Sequence, residues 1–295
     1  MADDHASKPA HLEPSELGTK EYEPTNHPSW DNLYTNELTN HSHDPSDKGT
    51  VWFDDSDAET KVLEFLEDQT DPDTSTLTLP PPPQLQQQQQ QPSTQPQQPA
   101  LLQKETTSFL DLGCGNGSLL LALRAEGWRG PCLGVDYSEK SVALARQVAA
   151  AATAAASETA GGGETVGFAV WDVLQGPYDT VLAGTATATA TATGWDVVHD
   201  KGTFDAISLS EERDAAGRRI CEGYKGRVVR LVRPGGLFLV TSCNWTEEEL
   251  EGWFGEGSAA VEGGSFVRVG RVNYPSFSFG GVKGQTISTV CYQKI

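Results

Sequence analysis

The chain has 295 residues, with 41 Asp and Glu against 21 Lys and Arg, a formal charge of −20, and 37% hydrophobic residues. That charge argues against a general basic surface for duplex DNA or an anionic membrane, and no apolar run approaches the ~20 residues of a membrane span. At roughly 100–200 residues per domain, and with low-complexity tracts set aside, one α/β domain with inserts is the expected organisation. Residues 1–70 hold 17 acids against 4 lysines. Aromatic and aliphatic residues around Trp30–Leu38 and Val51–Leu66 set this segment apart from a purely acidic tail, so an extension ordered over about 15–68 and packed on the core is predicted.

The first residues, MADDHASKPAH, form neither a secretory nor a mitochondrial signal. The five cysteines lack a CxxC pair or zinc-site spacing. A reducing cytoplasmic setting with nuclear access is expected, with no metal. Nothing such as a heptad run asks for assembly, so a monomer is expected.

Residues 71–100, with Pro80–Pro83 and a glutamine run, have almost nothing apolar to bury and read as a disordered insertion. Two further low-complexity inserts lie near 149–163 and 183–194. Between them, from Ser108 onward, short apolar runs alternate with helical stretches, the pattern of a parallel sheet built from βαβ units. Strands are predicted at Ser108–Leu112, Cys132–Asp136, Val166–Val170, Trp195–His199, Leu237–Thr241, Phe266–Val272 and Ile287–Tyr292. Helices are predicted at Gly117–Gly127, Glu139–Ala150, Arg213–Val232 and Thr246–Phe254. The last two strands suit an antiparallel edge hairpin, and function is expected in the loops at the strand C-termini.

Asp111-Leu-Gly113-Cys114-Gly115-Asn116-Gly117 lies where a strand turns into a helix, and its glycines allow positive φ and close backbone approach to a ligand. It lacks the third glycine of the nicotinamide fingerprint G-x-G-x-x-G and the GK[ST] of a Walker loop. The D-x-G-x-G-x-G form resembles motif I of the seven-strand S-adenosylmethionine-dependent methyltransferases. Asp136, 25 residues beyond Asp111 at the end of the next strand, can accept both hydroxyls of a ribose, with Tyr137 beside it. By the same resemblance Asp172 would accept from the adenine amino group and Val173 N–H would donate to a ring nitrogen; a strand-ending or capping Asp172 is the alternative. Trp171 would pack beside the adenine or cover the core.

Asp200-Lys-Gly-Thr-Phe-Asp-Ala-Ile-Ser-Leu resembles the segment after strand four in the elongation factor 1-alpha lysine methyltransferase 2 group. Ser15–Tyr22, Trp30–Tyr34, Val51–Phe53, Thr241–Thr246 and Tyr274–Thr286 resemble it too; the insertion Glu23–Ser29 and the low-complexity tracts depart from it. The resemblance implies a Rossmann-like seven-stranded sheet, mostly parallel with an antiparallel edge hairpin and helices on both faces. It also implies S-adenosyl-L-methionine as cofactor, no nucleic-acid or membrane partner, and a protein-lysine substrate, elongation factor 1-alpha. A small-molecule methyltransferase or a cofactor-binding scaffold without methyl transfer are the alternatives, and a dehydrogenase is the least supported.

Lysine with a pKa of ~10.4 must lose a proton before it attacks. A carboxylate can orient it and carry the proton away, but its charge favours the ammonium form. Asp200 is the candidate for that role, with capping of the following turn as the alternative. Asn244 and Trp245 are candidates for the lysine channel, or else a turn before the capping box Thr246/Glu249. Trp52 and Phe53 are candidates for a lid or for an apolar anchor, and Lys201 for a surface residue or a neighbour of the cofactor carboxylate.

Overall fold

A computed structural model describes residues 28–80, 101–156, 165–183, 194–275, 277–279, 282–284 and 286–295. Its centre is a seven-stranded sheet in the order β3-β2-β1-β4-β5-β9-β6. These strands are β1 (Phe109–Leu112), β2 (Cys132–Asp136), β3 (Gly167–Val170), β4 (Trp195–Lys201), β5 (Val232–Ser242), β6 (Phe266–Val272) and β9 (Ser288–Lys294). The first five run parallel, and β9 is inserted antiparallel between β5 and β6. The predicted edge hairpin is therefore present, and its connection carries a two-stranded ribbon, β7 (Phe277–Phe279) and β8 (Val282–Gly284).

Side-chain alternation along the strands sorts two apolar layers. Phe109, Val197, Leu237, Leu239 and Cys291 face one layer, covered by α2 (Ala58–Asp68), α3 (Ser118–Ala125) and α4 (Glu139–Ala156). Leu110, Leu112, Val198, Phe238, Val240 and Tyr292 face the other. That side is covered by α5 (Asp179–Leu182), α6 (Thr203–Ser208), α7 (Tyr224–Leu231) and α8 (Glu247–Phe254). The strand C-termini of β1, β2, β3 and β4 consequently end on one edge, between the layers. Helix α1 (Pro28–His43) packs outside α4 through Tyr34, which meets Leu144 and Val148.

Most predicted elements appear within a few residues of their expected limits, including α8, where Thr246 Oγ1 accepts from Glu249 N and Glu249 Oε2 from Thr246 N. Three differ. The helix predicted at Arg213–Val232 exists only as a 3-10 turn (Ile220–Gly223) followed by α7. Upstream, the Asp214 carboxylate accepts from Ala216 N and Arg218 N, and Gly217 has φ +79°, so the chain makes a local turn that competes with the helix. Helix α6, unpredicted, starts at Thr203, directly after Gly202 at φ +83°.

The third difference lies in the Pro/Gln-rich stretch: its first part is built into the protein. Thr78 N donates to Val269 O on the outer edge of β6, and Leu77 and Leu79 pack on the core beside Phe65. Residues 81–100 lie outside the described residues, as do 1–27, 157–164 and 184–193, so the tail and most of the two smaller inserts do too. Helix α4 runs into the alanine tract as far as Ala156.

Phe238 is fully buried, stacks on Phe266 and Tyr292 and meets Phe254 edge-on. Phe238→Ala is expected to cost about 3–5 kcal/mol of folding stability, read from the urea midpoint at unchanged m-value.

Candidate active site

The cleft begins where β1 ends. The glycine loop leaves Leu112 with Gly113 at φ +66°, and a Cβ there would lie 1.9 Å from Thr203 Oγ1, which donates to Leu112 O at 2.8 Å. Gly117, at φ +77°, brings the start of α3 against the Phe168 ring, where a Cβ would sit 2.6 Å from Cζ. Both positions therefore exclude any side chain, and the loop backbone between them, Gly113 to Asn116, lines the cleft. Gly117 itself does not line it and acts as the hinge into α3.

Asp136 is held from three sides, accepting from Ser138 N at 2.9 Å, Ser141 Oγ at 2.7 Å and Gly115 N at 3.3 Å. Burial pushes its carboxyl up to about 6, against the pull of those three donors. Tyr137, Asp172 and Val173 line the cleft beside it. Asp172 also accepts from Leu174 N at 2.7 Å, so its local turn role and its place in the cleft coexist. Trp171 likewise lines the cleft while packing in the core, its Nε1 donating to Pro177 O.

The N-terminal extension closes the opposite wall, supplying Trp30, Tyr34, Thr50, Val51, Trp52 and Glu59. Trp30 stacks between Tyr34 and Trp52, with ring centroids 6.3 and 4.9 Å away. Hydrogen bonds tie this wall to the loops that follow β1 and β2. Asn116 Nδ2 donates to Lys48 O at 2.8 Å and Thr50 O at 3.3 Å, and Ser138 Oγ to Asp31 at 2.7 Å. Trp52 thus lies in the cleft, and Phe53 is buried below it as an anchor. Sequence reasoning missed Trp30, Tyr34, Thr50 and Glu59, because nothing in their local pattern says which distant loop they will cover.

At one end of the cleft, charged groups converge. Asp111 and Lys201 line it; Lys201 Nζ donates to Trp52 O at 3.1 Å and sits 3.4 Å from Glu59 Oε1, which accepts from Ser118 Oγ at 2.6 Å. Asp200 is not part of this group. Its side chain is fully buried on the opposite face of the sheet, where it accepts from Thr203 N, Phe204 N and the Tyr224 hydroxyl. Asp200 caps α6, and the lysine-orienting role expected of it is withdrawn because its acceptor positions are already taken. Asn244 and Trp245 also lie away from the cleft lining. Asn244 is exposed, and Trp245 Nε1 donates to Ser208 Oγ, so both serve the turn before α8.

An α/β sheet with a glycine loop after β1, an acidic residue ending β2 and a third loop after β3 has the layout of the methyltransferase class. The methyltransferase-domain family profile matches residues 103–263. Protein-lysine N-methyltransferase EFM4 of Saccharomyces cerevisiae is 33% identical over 285 residues, spanning 97% of both chains. Its Schizosaccharomyces pombe counterpart is 32% identical over 287 residues, 96% of this chain and 95% of the relative. Human EEF1A lysine methyltransferase 2 is 27% identical over 282 residues, 96% of this chain and 88% of the relative. The chain belongs to this methyltransferase family, the protein-lysine N-methyltransferases.

Removing the Asp200 carboxylate should show its structural role. Asp200→Ala leaves two backbone N–H groups and a buried hydroxyl without an acceptor and is expected to cost about 2–4 kcal/mol. Burial raises the Asp200 carboxyl to about 7. The folded protein therefore holds this proton longer than the unfolded chain, and the contribution to stability falls as pH rises from about 4 to about 7. Asp200→Asn should lack that slope, which paired urea titrations across this window measure.

Proposed function

We propose that the protein transfers a methyl group from S-adenosyl-L-methionine to a lysine side chain of translation elongation factor 1-alpha. The observation that carries this reading is the single cleft in which the glycine loop, Asp136 and Asp172 share walls with an aromatic N-terminal segment and an acidic end. Kinship over nearly the full chain with relatives named for the same modification supports it.

The residues fit the cofactor chemically. Asp136 would accept from both ribose hydroxyls, a task for which its three donors pre-orient it. Asp172 and Val173 N–H would address the adenine, with the apolar part of Trp171 against the base. Asp111 and Glu59 would face the ammonium and Lys201 the carboxylate of the amino-acid portion, a pairing by opposite charge. When bound, the cofactor supplies a methyl group on a positively charged sulfur, already strongly electrophilic.

The protein's own contribution is alignment and exclusion of water. The Trp30, Trp52 and Tyr34 rings line the cleft opposite the glycine loop, and Gly202 and Thr203 line it too. The amine must arrive neutral, and the lining offers it the aromatic side chains of Trp30, Tyr34 and Trp52. The −20 charge of the chain favours a basic protein partner by steering, an effect that salt weakens. Five free thiols, four of them buried, suit a reducing cytoplasm, and we take the protein to act there as a monomer.

Labelled S-adenosylmethionine with recombinant elongation factor 1-alpha should yield label on lysine, located by mass spectrometry. Absence of incorporation with cofactor binding intact would remove the substrate assignment. Asp136→Ala is expected to weaken cofactor binding at least 100-fold, as two charge-assisted hydrogen bonds are lost at about 1.5–3 kcal/mol each. In the unmodified protein, cofactor affinity should hold above pH 6 and fall below it, since a protonated Asp136 cannot accept from both hydroxyls. Calorimetry from pH 5 to 8 reads both effects.

A further inference from the structure

Asp111 and His199 are directly opposed in the register of β1 and β4 and point to the same face of the sheet. His199 Nδ1 lies 2.8 Å from Asp111 Oδ1, and both residues are buried, at 4% and 5% exposure. A carboxylate can only accept, so Nδ1 carries the proton and donates it into this bond. His199 Nε2, buried as well, meets no hydrogen-bond partner among the described residues. Val197, Leu237 and Leu239, which flank it on this face, are all aliphatic and buried. A position serving only to fill that layer has no use for an imidazole with an orphan nitrogen, since an unpaired buried polar atom costs about 1–3 kcal/mol.

What the imidazole does at this site is fix Asp111. No other described side chain hydrogen-bonds to that carboxylate, although it lines the cleft. Lys201, two residues along β4 on the same face, is committed to Trp52 O and Glu59 instead. With Oδ1 held by His199, the carboxylate plane is set and the second oxygen remains for a cation in the cleft.

We propose that His199 is a positioning residue for cofactor binding: through its Nδ1–H it holds the Asp111 carboxylate in the orientation that receives the ammonium of S-adenosylmethionine. This rests on the cofactor reading above.

Asparagine and glutamine separate the hydrogen bond from mere polarity. Asn places its amide nitrogen near the position of Nδ1, whereas Gln carries its amide out to the position of Nε2. Titration calorimetry with S-adenosylmethionine on the full chain should give H199N an affinity within about threefold of the unmodified protein. H199Q and H199L should bind about tenfold or more weakly. In steady-state assays the KM for cofactor should rise in the weak binders while the KM for the protein substrate stays unchanged. In a double-mutant cycle, D111A/H199L should bind no more weakly than D111A alone. Melting temperatures identify the folded variants, and should H199L fail to fold, the H199N and H199Q pair decides.

Equal affinity of H199Q and the unmodified protein, or weak binding by folded H199N matching H199Q, would overturn the assignment, as would additive losses in the cycle. Unmodified protein that fails to bind S-adenosylmethionine at all would instead overturn the cofactor reading, and this proposal with it.

Discussion

Buried carboxylates at the C-terminal edge of a parallel sheet are the constraint on which the rest of this structure depends. Asp136 ends β2, Asp111 and Asp200 lie next to the ends of β1 and β4, and Asp205 follows in α6; none is more than 6% exposed. Each must find donors or raise its pKa. Asp205 is satisfied by Ser242 Oγ and Cys243 N at the end of β5, and Asp200 by the start of α6 and by Tyr224. These two consume their hydrogen-bonding capacity inside the protein and lock α6 and the β5 loop to the sheet. Asp136 and Asp111 have partners on one side and the cleft on the other. The same residue type thus does opposite work depending on which face of a strand it occupies.

The fold places this chemistry by alternation. In β4, Val198 and Asp200 face one layer while His199 and Lys201 face the other, where Asp111 also lies. Correct identification of the segment after strand four was therefore not enough to assign its residues. The motif directs attention to Asp200, but parity along the strand turns Asp200 into the helical layer and presents its two neighbours to the cleft side. A one-residue difference in position is a complete reversal of direction in a strand.

Other parts of the site were legible for a clear reason. The glycine loop and Asp136 are local in sequence, and their chemistry needs particular residue types: no Cβ at Gly113, where Thr203 occupies the space, and a carboxylate after β2. The sheet with its antiparallel edge was also legible, because apolar alternation and short turns mark it. What was not legible came from long-range placement. Glu59 meets Lys201 across 142 positions, His199 meets Asp111 across 88, and Asn116 reaches Lys48 across 68. No local periodicity encodes such pairs. The predicted helix over Arg213–Val232 failed differently, because apolar spacing was allowed to outweigh an Asp and a Gly that favour a turn.

The acidic extension follows from the same reasoning. Its charge first served only to argue against a basic nucleic-acid surface, and its aromatics only to argue that part of it folds. In the structure those two properties separate by position. The aromatics Trp30, Tyr34 and Trp52 face the cleft, and one acid, Glu59, enters it to meet Lys201, while Asp54, Asp55 and Asp57 stay on the surface. The extension contacts the methyltransferase domain through the loops that line the cleft: Asn116 on the glycine loop, and Ser138, which also donates through its backbone to Asp136. The wall and the Asp136 carboxylate are therefore linked through one residue, Ser138. Each of these hydrogen bonds is modest alone, but Ser138 joins Asp136 on one side to Asp31 on the other. On the proposed reading, the side chains that would hold the cofactor and those that anchor the N-terminal wall are therefore kept in place by one set of contacts.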